Sequence, residues 1–107
     1  MIPDWERCIV GVVMKIAGLG LLHDFMKRRP DSKTPLQTWV ALVRNANWEK
    51  NTDIRQMSGS ASFVGDRRVV FNIKGRRYRL DVKVSYKRQL VQVIRVGTHA
   101  DYDKWRF

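Results

Sequence analysis

Arg77-Tyr78-Arg79-Leu80-Asp81-Val82-Lys83-Val84-Ser85-Tyr86 is the stretch from which the fold of this chain can be read. Tyr78, Leu80, Val82, Val84 and Tyr86 alternate strictly with Arg77, Arg79, Asp81, Lys83 and Ser85. Successive side chains on a strand point to opposite faces. One face of this strand is therefore apolar and calls for a core. The other carries three cations and one acid, and calls for water or an anionic partner. The reading places the function on that second face.

The flanking sequence extends the strand into a meander from Arg68 to Val96. Upstream, Val69, Phe71 and Ile73 alternate with Val70 and Asn72, and Gly65-Asp66 makes a turn ahead of them. Lys74-Gly75-Arg76 turns into the middle strand, and Tyr86-Lys87-Arg88 turns out of it. Leu90 to Val96 is the last strand, and its apolar residues on both faces predict a central position. Beyond it, Thr98 and Asp101 have the spacing of a helix cap, so a short terminal helix is expected there.

Before the meander the period changes from 2 to 3.6. Met14-Lys15-Ile16-Ala17 reads as a first strand. Leu22, Phe25 and Met26 make an apolar stripe in a helix from Leu19 to Arg29, which Pro30-Asp31-Ser32 ends. Thr34, Pro35 and Gln37 predict the start of a second helix through a capping box. Its stripe is Leu36, Trp39, Val40 and Val43, running to about Asn45. Trp48 is expected to close over the end of that core. A helical turn spans Thr52 to Met57, and Ser58 to Ser62 reads as a loop. Two helices ahead of an antiparallel meander, with an N-terminal strand and a short C-terminal helix, make an α+β fold. The helices should cover one sheet face and leave the other as a shallow basic groove.

At 107 residues the chain supports one domain. We place it at 14–107, with 1–13 as an N-terminal extension that is a candidate for disorder. The apolar run after Cys8 is interrupted by Lys15 and is shorter than the ~20 residues of a membrane span. Asp4 and Glu6 outweigh Arg7, unlike a signal peptide. The lone Cys8 permits no intrachain disulfide, which fits a reducing, cytoplasmic setting. No His and Cys cluster has metal-ligand spacing, so neither a metal nor another cofactor is expected.

Charge gives the class of partner. The chain carries 21 Lys and Arg against 10 Asp and Glu, a net charge of +11. Ten of those cations lie between Arg67 and Arg95, where Asp81 is the single acid. Such clustering is the footprint of a phosphate backbone. The plainer reading is a solvated basic surface.

Three stretches carry a family resemblance. They are Phe63-Val64-Gly65-Asp66-Arg67-Arg68-Val69-Val70-Phe71-Asn72-Ile73-Lys74-Gly75, followed by Tyr78-Arg79-Leu80, and Val96-Gly97-Thr98-His99-Ala100-Asp101-Tyr102-Asp103-Lys104. Over about residues 14 to 105 the chain resembles the HigB toxins of bacterial type II toxin–antitoxin systems, which are similar in fold to RelE. The resemblance implies an endonuclease toxin that cuts mRNA on the ribosome, and a HigA-type helix-turn-helix antitoxin as its partner. It carries over most directly to His99, Tyr102, Asp103 and Arg79, and less strongly to Lys74.

Those residue types suit metal-free RNA cleavage through the 2′-hydroxyl. Such cleavage needs proton transfer and cations around a crowded phosphate. Histidine is the side-chain type suited to moving protons near neutral pH, and His99 is the one in a suitable place. Arg79 and Arg77 can grip a phosphate bidentately. Lys74 or Lys83 adds point charge, and Tyr102 can donate a hydrogen bond or stack on a base. The candidate catalytic set is His99, Arg79, Tyr102 and Lys74. The candidate RNA contacts are Arg67, Arg76, Arg77, Lys83 and Arg95. The alternative is a non-catalytic module that binds RNA or the ribosome and represses translation by occupancy.

Overall fold

The computed structural model describes residues 14–105, so the expected extension 1–13 lies outside the described residues. The elements run β1 (Lys15–Ala17), α1 (Leu19–Arg28), a 3-10 turn (Pro30–Ser32), α2 (Lys33–Arg44), α3 (Asn51–Met57), β2 (Ser62–Gly65), β3 (Arg68–Ile73), β4 (Tyr78–Ser85), β5 (Leu90–Thr98) and α4 (His99–Tyr102). The architecture is α+β, as the change of period predicts.

The strands form one five-stranded sheet in the order β1-β5-β4-β3-β2. All neighbours are antiparallel except β1, which pairs parallel with β5. β5 is flanked on both sides, in agreement with its apolar faces. β2 is an addition to the expected meander. The sequence there reads as loop and turn, yet Ser62 and Phe63 pair with Val70 and Val69. The strand is short and carries no full alternation, so tertiary pairing rather than local propensity makes it.

The turn from β1 to α1 depends on Gly18. Its φ is +89°, and a Cβ there would stand 2.9 Å from the Val93 carbonyl oxygen. α2 starts earlier than the capping motif predicts. Thr34 already lies within the helix and Ser32 takes the cap position without a side-chain bond to the helix. Instead Ser32 is buried and its hydroxyl donates to the Arg29 carbonyl at 2.7 Å, closing the 3-10 turn.

The helices cover one sheet face. Leu22, Phe25, Leu36, Trp39, Val43 and Ile54 pack on Val69, Phe71, Leu80, Val82, Val84 and Val91. Burying each of these side chains contributes roughly 1.5–3 kcal/mol. Trp48 does close the core, stacking on Phe71 at 6.1 Å between ring centroids. Trp39 meets the same ring edge-on at 5.5 Å, and Phe25 meets Tyr78 edge-on at 5.2 Å.

The opposite face is not the bare basic groove that the alternation suggests. Register puts Arg68, Val70 and Asn72 of β3 beside Lys83, Asp81 and Arg79 of β4. Val70 and Asp81 are both fully buried there. A bulge in β5 is part of the reason. Asp81 pairs with Arg95 and Val82 pairs with Val93, so Ile94 is extra. The extra residue turns Arg95 onto the face of Asp81, whereas an unbroken alternation from Val93 would have sent it into the core.

Candidate functional site

The site is built at the end of β5, where the chain leaves the sheet and turns into α4. Thr98 and Asp101 cap each other. Thr98 N donates to Asp101 Oδ2 at 3.0 Å, and Asp101 N donates to Thr98 Oγ1 at 3.2 Å. The bond from the Thr98 amide holds the Asp101 carboxyl below the usual carboxylate range, and the Thr98 hydroxyl and nearby Lys104 assist. Gly97 lets this short helix lie against its own strand. A Cβ at Gly97 would stand 2.8 Å from Asp101 Oδ2 and 3.1 Å from Trp105 Cζ2.

Folding back in this way brings Tyr102 over Arg79, the cross-strand neighbour of Gly97. The guanidinium carbon of Arg79 lies 4.7 Å from the Tyr102 ring centroid. Arg79 is also held from β3, where its Nη1 donates to Asn72 Oδ1. Its Nε is buried without a hydrogen-bond partner. A buried N–H donor of this kind is costly to leave unmade. Arg79 is therefore held with a fixed guanidinium plane, and a planar fork of this kind suits a bidentate anion contact.

His99 stands beside the same ring, 6.4 Å from Tyr102 between centroids. Its Nδ1 is 3.7 Å from Asp103 Oδ2, one helical turn on. The imidazole is more than half exposed, open to a ligand on its other side. Trp105 continues the stack. It meets Tyr102 edge-on at 5.7 Å, and Arg95 lies 4.6 Å from its ring centroid. Arg79, Tyr102, Trp105 and Arg95 thus alternate cation and ring at the outer contacts, with two rings between.

The remaining cations fall into groups. Arg95 and Arg68 converge on buried Asp81. Arg95 Nε reaches Oδ2 at 2.9 Å, Arg68 Nε reaches Oδ1 at 3.2 Å, and Arg68 Nη2 closes a tighter bond to Oδ2. Lys74 and Arg77 converge on Asp31 in the 3-10 turn, at 3.0 and 3.2 Å. The Tyr78 hydroxyl donates to the other oxygen of Asp31 at 2.6 Å. That bond first, and the Lys74 bond second, hold the Asp31 carboxyl below its ordinary value. Arg77 lies in the turn ahead of β4 and reaches round to the helix side, away from Arg79. Arg76 is exposed at the same turn, and Arg67 and Lys83 are exposed toward the other end of the sheet.

The structure therefore brings His99, Tyr102 and Arg79 together and keeps Lys74 and Arg77 on a separate acid. Asn72 and Trp105 belong to the site and were not singled out by the sequence. Their only local signals are a polar residue inside the apolar run of β3 and an aromatic three residues after Tyr102.

A family model for HigB toxins, the RelE-like toxic component of a toxin–antitoxin system, matches residues 32–105. The chain belongs to the HigB toxin family. Among curated proteins none matches the chain. The family match takes in everything from α2 to Trp105, so Arg79, His99, Tyr102 and the other residues of the β5–α4 junction fall inside it, while Asp31 lies just before it. β1 and α1 precede it. Membership of a toxin–antitoxin system implies an antitoxin partner for this HigB toxin. No helix among the described residues is long and apolar enough to cross a membrane.

Proposed function

We propose that this HigB toxin is an endoribonuclease that cuts mRNA on the ribosome, using the substrate's own 2′-hydroxyl as nucleophile. The observation that supports this reading best is the convergence of Arg79, Tyr102 and His99 at the β5–α4 junction. Arg79 is aimed by Asn72 and Tyr102. It is suited to hold the scissile phosphate and to neutralise the charge that builds on it.

In the proposed step His99 moves the protons. The 2′-oxygen loses its proton, attacks phosphorus and forms a cyclic phosphate. The 5′-oxygen leaves and takes up a proton. Asp103, one turn along α4, orients the imidazole for this. Tyr102 holds Arg79 with one part of its ring and offers a stacking surface for a base. Lys74, held by Asp31 at the same end of the sheet, contributes charge from a distance. Arg67, Arg76, Arg77, Lys83 and Arg95 guide the RNA. The proposed partners are mRNA, the ribosome and a HigA-type helix-turn-helix antitoxin, and the proposed setting is the cytoplasm.

Mapping of mRNA 5′ ends after brief induction tests the reading. The native chain is expected to create new ends inside coding regions. His99→Ala should lower cleavage by about 10²- to 10⁴-fold, the usual range for losing a proton-transfer group, and Arg79→Ala by about 10²- to 10³-fold, as for losing a donor to the developing charge. His99→Ala should keep the native thermal midpoint, since that side chain is more than half exposed, whereas Arg79→Ala also loses the contacts to Asn72 and Tyr102 and should lower it modestly. Growth arrest without new ends would replace this reading with the non-catalytic repressor.

A further inference from the structure

The ion pairs of this protein neutralise some of its cations and leave others alone. Arg68 and Arg95 share Asp81, and Lys74 and Arg77 share Asp31. Arg67, Lys83, Lys87 and Arg88 have no ion pair among the described residues. These four line one groove of about 680 Å³ at the end of the sheet opposite α4. No acid lines it. Asp66 adjoins Arg67 in the turn but is not part of the lining.

The fold holds this groove in shape. Arg67 adopts a left-handed backbone, φ 61°, at the tip of the β2–β3 turn. Its carbonyl accepts the Val84 amide at 2.8 Å, which pins the turn against β4 beside Lys83. Gln89 adopts φ 52° in the β4–β5 turn, next to Lys87 and Arg88. Its side-chain amide donates to the Trp48 and Tyr86 carbonyls, both at 2.8 Å. Two turns that a glycine would form with less strain are thus fixed on either side of the groove.

The groove is a separate site and not a continuation of the Arg79 site. Lys83 is four residues along β4 from Arg79, about 13 Å at roughly 3.3 Å per residue. The Asp81 cluster lies between them and presents two cations already joined to a buried carboxylate. The two sites also differ in chemistry. His99, Tyr102 and Trp105 offer rings for unpaired bases at one end. At the other, Tyr86 is the one aromatic in the lining among the described residues, half-buried with its hydroxyl on Asn51 Oδ1. Unpaired RNA is held largely by stacking, and base-paired RNA by shape and backbone contacts.

We infer that the groove of Arg67, Lys83, Lys87 and Arg88 is a second RNA site, which binds the sugar–phosphate backbone of base-paired RNA while the α4 end handles the single strand. The inference takes RNA as the partner from the function proposed above. It does not require that the protein cut RNA.

Two fluorescent 2′-O-methyl RNA probes of equal length test it, one a blunt hairpin and one unpaired. Binding of the full chain is measured over a salt series, with polyglutamate as a competitor, and cleavage is assayed separately. Lys87→Glu/Arg88→Glu should weaken hairpin binding roughly tenfold or more and lower the slope of log K against log salt by about two, since each phosphate contact carries about 0.9. The unpaired probe should lose less than about a third of that slope change. Arg79→Ala should show the reverse preference. If the charge-reversed protein loses its native thermal midpoint, Lys87→Ala/Arg88→Ala is used, with the same slope change expected. Equal losses on both probes, an unchanged hairpin affinity, or polyglutamate competing as well as the hairpin would each overturn the inference. Cleavage that survives while hairpin binding is unaffected would sink this site and leave the proposed activity standing. Loss of hairpin binding in a protein that never cuts would do the opposite.

Discussion

The two ends of the exposed sheet face hold similar charges in different ways. At the α4 end Arg79 is clamped between Asn72 and Tyr102, and His99 is set beside the same ring. At the hairpin end Arg67, Lys83, Lys87 and Arg88 surround a groove and have no ion pair among the described residues. A clamped cation loses little freedom when it meets one phosphate in one geometry, as a chemical step requires. A loose cation adapts to any backbone and gives binding that salt weakens. The difference shows that a basic surface on a small domain need not be one functional unit. The buried Asp81 cluster divides it.

That division gives the largest expected effect. Asp81→Ala removes the buried carboxylate that Arg68 and Arg95 share. Breaking such a pair costs about 3–5 kcal/mol when fully buried. Arg68 and Arg95 keep 24% and 32% of their side-chain surface exposed, so the lower part of that range is expected. Urea unfolding measures it. A loss under about 1 kcal/mol would make the cluster an ordinary surface pair and would remove the barrier between the two ends.

A smaller effect separates the ends by function. Gly97→Ala puts a methyl group against Asp101 and Trp105, so α4 must move. The stability cost should be about 1–3 kcal/mol, as for other overpacked sites. Cleavage should fall by on the order of 100-fold, because a displacement near 1 Å misplaces reacting groups. Hairpin binding at the far end should stay the same. A parallel loss of both would show that the ends are coupled.

The smallest effect concerns pH. The folded Asp101 carboxyl titrates below its unfolded value, which is about 3.9. Its contribution to holding α4 is therefore complete above that value and is lost as pH falls through the lower, folded one. The Tyr102 ring resonances should shift over that acid window in the native chain, and Asp101→Asn should abolish the shift. Ser85 and Leu90, at the hairpin end, should not report it. A shift that persists in Asp101→Asn would place the acid-sensitive group elsewhere.

Much of this was legible in the sequence because it depends on local period and local caps. The alternation across Tyr78 to Tyr86 gives β4, the stripe Leu22, Phe25 and Met26 gives α1, and the Thr98–Asp101 pair gives α4. His99 and Tyr102 share a face because they are three residues apart on that helix. Arg79 was legible as a cation on the outer face. What could not be read was its clamp, because Asn72 lies on another strand and Tyr102 arrives only after α4 folds back. The expected capping box at Thr34 failed for a related reason. Pro30 to Ser32 form a 3-10 turn that runs straight into α2, so the helix enters from that turn and not from a free cap.

The sequence by itself determined the α+β class, the covered face of the sheet and the short helix that carries His99. Each follows from the period of apolar residues or from side-chain bonds within three residues. Only the tertiary structure decided which cations remain available. Asp31 and Asp81 take four of them, and these partners meet across 13 to 46 residues of chain. The bulge at Ile94 decides the rest. One inserted residue reverses the face of everything after it, since the strand period is two. It turns Arg95 outward to Asp81 and Gly97 outward beneath α4. No count of charges along the chain contains that reversal, because it exists only in the pairing of β5 with β4.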